Sequence, residues 1–136
     1  MLYALQKAIK NHYDSASCAT LRSLCNGLWE DEAPPNVDFP YITFSDITSS
    51  WQQTFGTRIK YPLVQFTIWD NANNISSSRA LLIENAFEDA FEDVLLSCDL
   101  PWTIFGSTTI EQRKLKDEHN VWQIIFDIEF WMEEEK

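Results

Sequence analysis

The chain has 136 residues, 45% of them hydrophobic and 14% aromatic, and its 10 basic against 21 acidic side chains leave a net charge of −11. That size and composition allow one domain with a real core and exclude disorder along most of the chain. The charge excludes a uniformly basic groove for nucleic acid. Two readings of the acidity stand side by side: plain solubility, or a surface that repels DNA so that DNA slides past it. Six Trp and nine Phe exceed what so small a domain needs to hide, which points to aromatic surface at a partner. Cys18, Cys25 and Cys98 are odd in number and lack metal-ligand spacing, which predicts a reducing compartment and no zinc. The first residues, Met1 to Tyr13, do not read as a signal peptide. No apolar run approaches the roughly 18 residues of a membrane span.

In chain order, Leu2, Leu5, Ile9 and Tyr13 recur at helical steps and predict an amphipathic first helix. A break at Asp14-Ser15 or at Ser17 is positioned to cap a second short helix over Ser17 to Asn26, with Cys18, Leu21, Leu24 and Cys25 on one side and Gly27 as its terminator. Leu28 to Glu32 reads as a short edge strand, stopped by Ala33-Pro34-Pro35. Tyr41 to Ser45 alternates as a strand, with Ile42 and Phe44 on one face. The segment 46–58 is mostly Ser, Thr and Gln and reads as an extended loop or arm. Its large residues, Trp51 and Phe55, either fold back on their own domain or dock on another. Arg58 closes the arm. Ile59 to Trp69 is a strand with Val64, Phe66 and Ile68 on one face and Leu63, Gln65, Thr67 and Trp69 on the other. Pro62 places that end at a sheet edge or before the regular ladder.

After the turn chemistry of Asn71 to Asn74, one of Ser76, Ser77 or Ser78 is expected to cap a helix. Ala80, Ile83, Phe87, Ala90, Phe91 and Val94 form its buried stripe. Opposite the stripe lie two rows at four-residue spacing, Glu84, Glu88, Glu92 and Asn85, Asp89, Asp93. The acids Glu84, Glu88, Asp89, Glu92 and Asp93 are a candidate solvent or channel face. Like charges at that spacing cost only a few tenths of a kcal/mol per pair, so burial of the stripe outweighs them. Trp102 to Phe105 is a short strand or packed connection. Thr108 to Leu115 and Val121 to Met132 form a hairpin around the turn Lys116 to Asn120. In the last strand, Trp122, Ile124, Phe126, Ile128, Phe130 and Met132 face the core. Its second face, ending at Trp131, is half apolar and half acidic and suits a subunit contact or an open rim. Residues 133–136 are expected to be a frayed tail. The fold class is α+β: residues 1–136 form a single domain with a mainly antiparallel sheet and two or three helices packed on one face.

Little in this pattern carries chemistry. Gly27, Gly56 and Gly106 are isolated, so no phosphate-cradling loop forms. His12 lies beside the apolar face of the first helix and His119 in a hairpin turn, where packing or solvation accounts for them. No Ser sits in a GxSxG context. The acids of the third helix radiate from one element, whereas cation ligands converge. Asp127 and Glu129 lack a second polar cluster for acid–base work. No catalytic residue, cofactor or metal is assigned, and the contact candidates are Trp51, Phe55, Arg58 and Trp131.

Pro35, the Phe39-Pro40-Tyr41-Ile42 run and the Val64 to Trp69 run, in this order and spacing, resemble the tail completion proteins of long-tailed bacteriophages, also termed tail terminator or tail-to-head joining proteins. The resemblance covers almost the whole chain. It departs from the family pattern in the length of the second helix and in the marked acidity. It implies a non-enzymatic structural protein of the virion neck, assembled in the cytoplasm of a bacterial host. Such proteins form a ring homo-oligomer, commonly a hexamer, that caps the tail tube protein and joins it to the head connector or stopper protein. Double-stranded DNA passes through without specific binding. A hexameric ring of this chain carries on the order of −66, so assembly has to overcome mutual repulsion. The alternative reading is a monomeric acidic binding, adaptor or inhibitor module acting on a protein partner.

Overall fold

The computed structural model describes residues 1–53, 57–71, 78–92 and 94–135, with the backbone alone for 48–53, 57 and 135. Helix α1 (Leu2–Tyr13) leads through a single 3-10 turn (Ala16–Cys18) into α2 (Ala19–Leu24). The strands are β1 (Leu28–Glu30), β2 (Tyr41–Gln53), β3 (Thr57–Asn71), β4 (Trp102–Lys116) and β5 (Val121–Glu135), with α3 (Ser78–Phe91) between β3 and β4. They form one five-stranded sheet in the order β1-β2-β3-β5-β4. Every pairing is antiparallel except β1 with β2, which is parallel. This is the expected α+β class.

The helices cover one face of the sheet. Their buried residues Leu5, Ile9, Leu21, Ile83, Phe87 and Phe91 pack against Ile42, Phe44, Val64, Phe66, Ile68, Phe126, Ile128 and Phe130 in a single cluster. Phe66 is its hub: its ring centroid lies 5.1 Å from that of Phe87, 5.3 Å from Phe91 and 5.8 Å from Phe44. The alternation of β5 and the apolar stripe of α3 therefore place the core as their periods predict. Leu2 is the exception on α1, 40% exposed, while Ala8 takes a buried place.

Five expectations change. Pro62, expected at a sheet edge or before the regular ladder, lies inside the central strand β3 opposite Ser49, where the pairing with β5 skips from Lys60 to Leu63. The segment 46–53 belongs to β2 and pairs residue by residue with β3, from Asp46 opposite Val64 to Gln53 opposite Arg58, with a bulge at Ile47. The arm is thus a β-ribbon rather than a loop: backbone pairing to β3 organises a polar sequence that side-chain pattern alone leaves unmarked. Likewise β5 extends to Glu135 by pairing with β3, where a frayed tail was expected. Trp102–Phe105 and the strand after it are one strand, interrupted only by bulges at Phe105 and Ile110. Finally, the second helix is split, and it ends at Leu24 rather than at Gly27. Gly27, at φ 152°, has another role, because a Cβ there would overlap the indole of Trp29.

Candidate assembly surfaces

The face of the sheet away from the helices carries three groups of side chains that lie down along the strands. At one end the rings of Phe39, Tyr41 and Trp69 stack in series, with centroids 5.3 and 6.3 Å apart. Trp69 Nε1 donates to Thr43 Oγ1 at 2.9 Å, so its indole roofs Thr43 and keeps it buried. These residues and the turn Asp31–Pro35 line a shallow groove of about 330 Å³, whose rim carries Asp31 and Glu32. In the middle, buried Asp127 accepts from Gln65 Nε2 and from Arg113 Nη1, both at 3.1 Å. Arg113 also lies 3.3 Å from Glu111. Asp127 is therefore a paired structural carboxylate. At the far end Trp131 donates from Nε1 to Glu129 at 3.1 Å, and its ring covers Gly106, where a Cβ would overlap it. Phe105 leans on the same indole at 6.1 Å.

The acidic helix is organised differently from its expected outward-facing rows. Glu84, Glu88 and Glu92 are half-buried on the flank of α3 that faces β4. Gln112 Nε2 donates to Glu88 at 2.8 Å and Thr109 Oγ1 to Glu92 at 3.2 Å. Burial, reinforced by Glu88, raises the pKa of Glu84 above the usual glutamate value, against the pull of Lys114 and Gln112. The Glu row is a polar seam between α3 and the outermost strand. Asp89 remains exposed to solvent; Asp93 lies outside the described residues.

Of the contact candidates, Trp131 sits on the open face as expected. Trp51 lies on β2 opposite Lys60, and Phe55 falls outside the described residues. Arg58 pairs with Glu134 on β5 at 3.4 Å, a partly exposed bridge of small contribution. The structure does not bring Arg58 and Trp131 into one patch. Sequence reasoning missed the Phe39–Tyr41–Trp69 stack, although the alternation of β3 had already set Trp69 on the outer face. The partner groups came from β2 and the turn before it, which no local spacing links to β3.

His12, Cys18 and Cys25 are accounted for by packing, and His119 is exposed in the turn between β4 and β5. His12 Nε2 is 2.6 Å from the Ala90 carbonyl and its ring meets Phe91 edge-on. Cys18 and Cys25 are buried, and burial pushes the Cys18 thiol up to about 11, which leaves it an unreactive thiol at neutral pH. Among the described residues, no three His, Cys, Asp or Glu side chains are placed to hold a metal ion. No helix among them is long and apolar enough to cross a membrane.

No protein-family model matches the chain, and no curated protein resembles it in sequence. Its fold is nevertheless that of a solved chain described as "Virion of native gene transfer agent (GTA) particle", at a TM-score of 0.75 and 15% identity, over 97% of this chain and 96% of that one. A second solved chain, 9% identical over 98% of this chain and 92% of its own, superposes at a TM-score of only 0.49, too loosely to bear on the fold.

Proposed function

We propose that this chain is a phage-like structural virion protein that forms a ring in the neck, ends the tail tube and joins it to the head connector while DNA passes through. The observation that carries the reading is the end-to-end likeness of its fold to a chain of a gene transfer agent virion. The tail-completion resemblance of the Pro35 to Trp69 region supplies the finer position. The surfaces are consistent with such work: a preorganised aromatic and amide face, a long ribbon and two sheet edges offer contact area.

A wall that DNA slides past has to hold negative charge without binding counter-cations tightly. The Glu row on α3 is engaged with β4, so its solvent-facing acid, Asp89, is the better candidate for that wall than Glu84, Glu88 or Glu92. The ring is tested in particles. Deleting the gene should yield heads and tails that fail to join, restored by the protein supplied in trans, and antibody label should decorate the head–tail junction. Label elsewhere on the particle, or normal particles without the protein, would reject the neck assignment.

A further inference from the structure

We infer that the groove beside the Phe39, Tyr41 and Trp69 rings takes an arginine side chain carried on an extended segment of another protein. Its guanidinium plane lies on the rings and its N–H groups donate to Asp31 and Glu32. The floor of the groove is aromatic and fixed in place. Tyr41 and Trp69 are cross-strand partners, and their rings lie 25° from parallel. Phe39 lies 18° from parallel with Tyr41, and Trp29 meets Tyr41 edge-on at 6.3 Å. Trp69 uses its only donor on Thr43. All three floor rings are half-buried, so each still presents part of its surface to solvent. Pro34, Pro35 and Val37 form the opposite wall.

The rim carries charge that the described chain leaves unanswered. Among the described residues no basic side chain forms an ion pair with Asp31 or Glu32, and Lys7, Arg58, Arg79 and Arg113 are engaged elsewhere. Backbone bonds set the two carboxylates in position. Asp31 sits at φ 61° and donates its N–H to the Phe44 carbonyl at 2.7 Å, and the Glu32 N–H donates to the Glu30 carbonyl at 2.6 Å. Their field also reaches inward. Burial lifts Asp46 above the usual aspartate range, and Asp31 and Glu30 lift it further against the bond from Gln6. An arriving cation relieves repulsion that the free chain already carries.

Floor and rim together select the occupant. An aliphatic side chain covers the rings but strips water from the carboxylates and gives them no donor. An anion is repelled. A divalent cation needs several converging ligands, and among the described residues no three acidic, His or Cys side chains converge. A lysine ammonium answers the charge but has no plane to lay on the rings. Arginine brings both in one side chain, a weakly hydrated flat face and a fork of donors for two carboxylates. The groove is shallow, which suits a side chain of an extended segment better than an enclosed small molecule. The contact holds wherever in a particle the chain stands.

Titration of the intact, isotope-labelled chain tests the groove, read at the Trp69 indole N–H, which is identified by its loss in Trp69→Phe. A capped Ala-Ala-Arg-Ala-Ala peptide should shift that signal saturably. Lysine at the central position should weaken binding at least about threefold, and citrulline, which keeps the plane and loses the charge, at least about tenfold. Asp31→Asn/Glu32→Gln should weaken the arginine peptide at least about fivefold, and asparagine tolerates the left-handed backbone of position 31. Glu118→Gln, in the exposed turn between β4 and β5, should leave the affinity unchanged. The proposal is overturned by the absence of a saturable shift, by equal binding of a leucine peptide, by an unchanged affinity in Asp31→Asn/Glu32→Gln, or by an equal fall in Glu118→Gln. In particles, benzoylphenylalanine at position 39 should crosslink on irradiation to a segment of a different protein, and changing an arginine of that segment to alanine should remove the crosslink. A crosslink to a second copy of this chain, one insensitive to arginine, or none from particles that contain the chain also overturns it. Absence of the chain from particles rejects the virion reading and leaves the titration to decide the groove.

Discussion

The two faces of the sheet differ in how they are held. The helix-covered face is a continuous aromatic and aliphatic cluster centred on Phe66, in which side chains stand up from the strands and interlock. On the open face, side chains lie flat and are fixed one to another by single hydrogen bonds: Trp69 on Thr43, Gln65 and Arg113 on Asp127, Trp131 on Glu129. The first face determines whether the chain folds. The second sets the shape that a partner would meet, and the cost of altering it is correspondingly smaller. A surface so arranged is ordered before contact, which reduces the entropy lost when a neighbour docks.

Three changes separate the faces, from largest effect to smallest. Phe66→Ala removes the hub of the buried cluster and should cost about 3–5 kcal/mol in denaturant unfolding; a loss below about 1 kcal/mol would mean that the cluster repacks and is not the determinant. Asp127→Asn, on the open face, weakens the charge-assisted bond from Arg113 and leaves one amide hydrogen facing a donor. It should cost about 1–2 kcal/mol while leaving near-ultraviolet signals of the core unchanged. A collapse of those signals would show that the open face helps to set the core. Glu84→Gln should stabilise by about 0.3 kcal/mol at neutral pH, chiefly by removing the cost of burying a charged carboxylate and then by relieving repulsion from Glu88. The sign follows from its raised pKa: folding favours the protonated carboxyl, so its ionisation opposes the fold as pH rises through the folded pKa. The advantage of Glu84→Gln should vanish below the ordinary glutamate pKa, and calorimetry across that range would detect a gain of the opposite sign.

These contrasts also explain what was legible beforehand. Periodicity is a local property, so it placed Ile83, Phe87 and Phe91 on one side of α3 and Ile124 to Met132 on one side of β5. It identified Trp131 and Trp69 as facing away from that core. The order of the sheet is not local. β1 runs parallel to β2 across a ten-residue connection, residues 31–40, and nothing in Leu28-Trp29-Glu30 encodes that direction. The Ser, Thr and Gln of 46–53 carry no apolar alternation, and only the pairing with β3 reveals a strand. The Glu row of α3 was visible as a row, but its donors Thr109 and Gln112 lie on an element distant in sequence.

The sheet order has a consequence for how the chain is made. β5, the last of these five strands to emerge during synthesis, lies between β3 and β4 rather than at an edge. Until residues 121–135 have emerged, β3 has one side unpaired and β4 has no neighbour at all, while Phe66 and Phe87 lack Phe126 and Phe130. The nascent chain can form α1, α2 and the β2–β3 ribbon early, but its core closes only at the end, by inserting a strand into a waiting gap. Ribosome-arrested chains ending before Val121 should therefore remain protease-sensitive, and become resistant in one step once β5 is free.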